Sequence, residues 1–150
     1  MATLLEARFR KRRWYLLAVV ATIAVGLASR RFSQVLPASA GKYPGDALWS
    51  LMVFFGMGAI FRKASSLHLG FGALGFSFGI ETLKLCQASW LASLRHTKLG
   101  HLVFGHVFSW QNLIAHTIGV FVGLILEVLV VPNLEGRGSN EPRRYANGRE

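Results

Sequence analysis

Glu81, Lys84, Gln87, Arg95 and Asn112 form a polar series that begins inside an apolar stretch and runs toward the last apolar stretch of the chain. A carboxylate in a segment apolar enough to cross a membrane is costly, and such residues face a protein interior or a water-filled cavity rather than lipid. In a helix, Ser77, Glu81 and Lys84 share one face through spacings of four and three. Glu81 could therefore pair locally with Lys84, or with Arg95 further on. The chemistry on offer is a buried carboxylate that takes a cation, a head group or a proton. The alternative is an ion pair whose only task is to reduce the cost of burial.

Asn112, His116, Gly119 and Gly123 follow one another at four, three and four residues, so they line one stripe of a helix, and Glu127 continues roughly the same face. Small and polar residues in one stripe should face other helices, where a close partner satisfies Asn and His. That stripe reads either as a packing seam or as the wall of a polar pocket in which Asn112 and His116 meet Glu81 and Arg95. Asp46 is the one candidate acidic companion for Glu81 from the same side. Gly75-x-x-x-Gly79 and Gly119-x-x-x-Gly123 are the candidate helix-packing pairs.

Other chemistry is absent from the sequence. There is no nucleophile elbow, phosphate loop or dinucleotide fingerprint. His96, His101 and His106 are five apart and do not share a helical face, and the single Cys86 cannot form a disulfide or a CxxC site. No metal and no cofactor are expected, and no reaction is legible, so whether the protein is an enzyme stays open.

The elements that must position these residues are apolar. The 150-residue chain is 52% hydrophobic and 16% charged, with a mean hydropathy of +0.38, whereas soluble domains carry about 25% charged residues. The apolar residues gather in four runs, giving expected spans at about 14–29, 46–61, 66–85 and 111–131. Trp14 and Tyr15 would anchor the first at the interface. Arg30 and Arg31 follow its apolar core directly, and Ala38-Ser39-Ala40 lies too far on for a signal-peptide cleavage site, so the first run is expected to remain as a span. Asp46 is placed to cap the second run and Ser65 or Ser66 the third. Residues 86–110 mix aromatic and aliphatic residues with Arg95, Lys98 and histidines, which suits an interfacial or re-entrant segment. Pro132 should end the last run, leaving a polar tail at 133–150, expected to be disordered.

The net charge of +10 would suggest nucleic acid in a soluble protein, but the basic residues flank the apolar runs and no recognition motif is present, so no nucleic-acid partner is expected. With four spans, both termini share a side, and that side holds eleven Lys and Arg against six on the other. The positive-inside rule then puts both termini in the cytoplasm and the Glu81 end outside.

Gly45-Asp46-Ala47-Leu48-Trp49 and the stretch from Glu81 to Glu127 resemble a family of small bacterial membrane proteins known only as a domain of unknown function. That family is in turn similar to VanZ-like proteins, which are associated with glycopeptide antibiotic resistance. Asp46, Glu81, Arg95 and Gly119 match the pattern. Lys84 stands where the family usually has Gln, Asn112 where it usually has Asp, and His116 where it usually has Tyr. The resemblance implies an all-α, four-span protein of the bacterial inner membrane. Its outward pocket, built on Glu81, Lys84, Arg95, Asn112, His116 and Asp46, would take an anionic lipid or an envelope-linked substrate. The other readings are an accessory subunit packed against a partner membrane protein and, third, a small transporter.

Overall fold

A computed structural model describes residues 10–31, 43–86, 88–97, 100 and 107–136. Among these residues the chain is all-helical, with no strand: α1 (Arg12–Arg31), α2 (Tyr43–Ile60), α3 (Ser66–Leu83), α4 (Ser89–Arg95) and α5 (Trp110–Gly136). Helices α1, α2, α3 and α5 run alternately up and down. The start of α1 meets the α2–α3 turn and the last third of α5, while the end of α3 meets the start of α5. Helix α2 is central and packs against α1, α3 and α5, whereas α1 packs along α2.

Local chemistry explains the boundaries. Helix α2 begins at Tyr43, three residues before Asp46, so Asp46 lies in its first turn rather than at the N-cap. Pro44 is tolerated there because a first-turn N–H has no helical acceptor. Ser65 does cap α3: its hydroxyl accepts from the His68 N–H at 3.3 Å. Helix α5 runs through Pro132 to Gly136 rather than ending at the proline. Proline removes one helical donor at a cost of about 3 kcal/mol, which a long helix can absorb. Of the segment between α3 and α5, a short helix, Ser89–Arg95, is described, and residues 98–99 and 101–106 lie outside the described residues. So does the tail from 137 onward.

Among the described residues, two helices are long and apolar enough to cross a membrane: the 18-residue window of α1 at Arg12–Ser29 and the 20-residue window of α5 at Trp110–Leu129. Helices α2 and α3 have 18 residues each, and their windows fall short of the same test. Four spans are therefore more than these helices establish by length and hydropathy.

The packing buries polar groups alongside an apolar core and leaves many large apolar groups outside. Leu51, Phe54, Phe55, Leu69, Ala73 and Val120 form the core. Glu81, Asn112, His116 and Glu127 are equally buried. On α5 the outward residues are Ile114, Ile118, Phe121 and Leu129, each more than half exposed.

Candidate functional site

Glu81 sits in the last turns of α3 with its side chain fully buried. Its carboxylate is held by donors from three parts of the chain. Lys84, one turn on, pairs with Oε2. The Ser109 backbone N–H donates to Oε1 at 3.0 Å from the residue preceding α5, and Asn112 Nδ2 donates to the same oxygen at 2.9 Å. His116 Nε2, one turn further along α5, lies 3.7 Å from Oε2. A buried carboxylate left without such partners would cost several kcal/mol.

His116 links this cluster to α2. Its Nδ1 is 3.0 Å from the Asp46 carbonyl oxygen, and the Ser50 hydroxyl donates to the His116 carbonyl at 2.9 Å. The contact with Asp46 is thus through its backbone. The stripe expected on α5 meets α2 closely. A Cβ on Gly119 would collide with the Ala47 carbonyl oxygen, and one on Gly123 would sit 2.7 Å from the Phe54 ring. Gly75 and Gly79 differ: added Cβ atoms there would meet nothing within 4 Å, so this pair makes no close contact among the described residues.

Arg95 is placed differently from the expectation that it would face Glu81. Its guanidinium donates to the Leu83 carbonyl at 2.6 Å and the Cys86 carbonyl at 3.1 Å. The last carbonyls of a helix have no helical donor, and a guanidinium fork near a C-terminus satisfies them well. Arg95 closes the end of α3 and joins α4 to it. The cation at Glu81 is Lys84.

A second buried ionic cluster lies at the other end of the bundle. Arg10 is fully buried and pairs with Glu127 at 2.6 Å. The Tyr15 hydroxyl donates to the same Glu127 oxygen at 2.7 Å. Arg10 also donates to the Ser66 hydroxyl at 3.1 Å and to the Ala64 carbonyl. Arg62 Nε donates to the Arg10 carbonyl at 2.9 Å, so the backbone around Arg10 is held as well. Gly58 makes room for Tyr15, since a Cβ there would lie 2.5 Å from its ring. In the sequence alone Arg10 counts as a topology signal and Tyr15 as an interfacial anchor. The available signal was Glu127, a second carboxylate in an apolar run on the Asn112 stripe.

Among the described residues, a helical bundle with a buried, ion-paired carboxylate toward each end and many large apolar side chains on its outside is the class these features define. Residues 35–120, more than half of the chain, match a protein family of unknown function, DUF2809, and the chain belongs to that family. No solved structure matches the chain.

Proposed function

We propose that the chain is a multi-pass protein of the bacterial cytoplasmic membrane, VanZ-like in kind, with a polar site at its outward end that engages the negatively charged head group of a lipid or envelope-linked substrate. Helices α1, α2, α3 and α5 each cross the bilayer, and both termini are cytoplasmic. The observation that carries the reading is the Glu81 carboxylate, fully buried yet neutralised by Lys84, whose own side chain keeps 10% exposure at the helix end. The reading is supported by the burial pattern of the bundle, with Asn112, His116 and Glu127 inside and Ile114, Phe121 and Leu129 outside. Lipid solvates such a surface, whereas water does not.

In this reading Glu81, Asn112 and the Ser109 N–H fix Lys84 at the rim. A phosphate would compete with Glu81 for the ammonium, while His116 Nε2 lies 3.7 Å from the same carboxylate oxygen. Arg95, engaged by two carbonyls, positions α4 rather than the ligand.

The test is a nuclear magnetic resonance titration of the protein in lipid nanodiscs with short-chain phosphatidic acid, and with short-chain phosphatidylcholine as control. Phosphatidic acid should shift the Asn112 side-chain amide, and Lys84→Gln should abolish the shift. An amide that ignores phosphatidic acid, or responds equally to both lipids, removes the site.

A second reading is favoured by one observation. Gly75 and Gly79 are exposed on α3 with open space over them. As an accessory subunit, the protein would pack this face against a helix of a partner membrane protein.

A further inference from the structure

Helix α1 packs along α2 and is tied to α5 near its start, through Tyr15 and the preceding Arg10. Above that clasp a groove of about 420 Å³ opens between α1, α2 and α5. Trp14, Leu17 and Ala21 form one wall, Phe55 and Leu126 the other, and Glu127 closes the base. That volume falls within the range of sites that bind small molecules. Because Glu127 is paired with Arg10, the base of the groove carries no net charge.

The rim is different. Lys11, Arg12 and Arg13 stand at the start of α1, and Arg12 and Arg13 are exposed. None of the three pairs with a carboxylate among the described residues. The Arg13 guanidinium lies 5.5 Å over the Trp14 ring, at the edge of the groove. Arg62 and Lys63, exposed in the α2–α3 turn, belong to the same end, because Arg62 holds the Arg10 backbone. An apolar trough beside a row of cations matches a molecule with an anionic head and a hydrocarbon tail.

We propose that the α1/α2/α5 groove binds one membrane phospholipid of net negative charge, with an acyl chain lying against Trp14, Ala21, Phe55 and Leu126 and its phosphate on Arg12 and Arg13. This site lies at the opposite end of the bundle from Glu81; it rests on the membrane placement proposed above but not on the ligand proposed for Glu81. Snorkelling cations at a helix end reach the phosphate plane while their stems cover the chain. The Arg10–Tyr15–Glu127 clasp holds the start of α1 on α5 at the Glu127 end of the trough.

Native mass spectrometry of the full-length protein, released from mild detergent after exchange with dioleoyl phosphatidylglycerol or dioleoyl phosphatidylcholine, tests this. In a Lys84→Gln background, which removes the site at Glu81, the protein should retain one phosphatidylglycerol and no phosphatidylcholine. Arg12→Gln with Arg13→Gln should lose that adduct while leaving the Arg10–Glu127 pair intact. Ala21→Phe, which fills the trough without touching a charge, should lose it too. Retention in the Lys84→Gln background separates this site from the one at Glu81. Equal retention of both lipids, or an adduct that survives both the double substitution and Ala21→Phe, overturns the proposal.

Discussion

Asn112 donates its side-chain amide to Glu81 across 31 residues of sequence, at 2.9 Å and out of contact with solvent. The same Glu81 oxygen takes the Ser109 N–H, so the first turn of α5 is fastened to the last turns of α3 at one atom. Everything proposed for the outward end depends on this junction, because it holds the carboxylate that fixes Lys84.

Replacing Asn112 by Leu should therefore loosen the junction. The carboxylate keeps Lys84 and Ser109 but loses a buried donor, a cost of about 1–3 kcal/mol. Thermal unfolding of the purified protein in detergent measures the loss; a melting temperature equal to wild type would mean that Asn112 does not hold Glu81.

Arg95→Lys should act on α3 rather than on the Glu81 site. A lysine cannot span the Leu83 and Cys86 carbonyls as the guanidinium does, so the end of α3 should exchange its amide hydrogens faster, with a stability loss of about 1 kcal/mol. Hydrogen exchange read by mass spectrometry localises the effect. If Arg95→Lys instead eliminated the phosphatidic acid response while α3 exchange stayed unchanged, Arg95 would belong to the ligand site.

At the other end, Glu127→Gln leaves Arg10 buried with no carboxylate to answer it. Breaking one side of a buried ion pair costs about 3–5 kcal/mol. Arg10→Met together with Glu127→Met should recover much of that loss, since two apolar side chains need no partner. Denaturation of Arg10→Met, Glu127→Met and the double variant decides it; additive losses would show that the pair is not coupled.

The glycines divide in a testable way. Gly119→Ala drives a methyl into the Ala47 carbonyl, and because that obstacle is backbone, α2 and α5 must separate, at about 1–3 kcal/mol. Gly75→Ala meets open space and should leave the isolated protein unharmed or up to about 1 kcal/mol more stable through helix propensity. If Gly75→Ala abolishes recovery of a stoichiometric partner in a mild-detergent pull-down, the accessory reading gains; full recovery counts against it.

Orientation can be read from labelling. In a Cys86→Ser background, a cysteine at Ser139 should resist a membrane-impermeant maleimide in intact cells and react after lysis. Labelling in intact cells would place the C-terminus outside and turn both polar ends over.

The helices were largely legible because hydrophobic runs, turn residues and caps are properties of neighbouring residues. Ser65 capping α3 follows from that local chemistry, and so does the Asn112–His116–Gly119–Gly123 face, since a 3.6-residue repeat sets which side chains share a stripe. Glu81 stood out for the same reason, as a charge in an apolar run. Which group answers a charge is not local. Arg95 was as plausible a partner for Glu81 as Lys84. The packing sent it to the Leu83 and Cys86 carbonyls, because the short α4 helix carries Arg95 to the turn that follows α3. Arg10 and Glu127 are 117 residues apart, and no pattern along the chain links them. They meet because alternating helices bring the start of α1 and the last third of α5 to the same end. There, a buried carboxylate and a buried guanidinium are each too costly to leave alone.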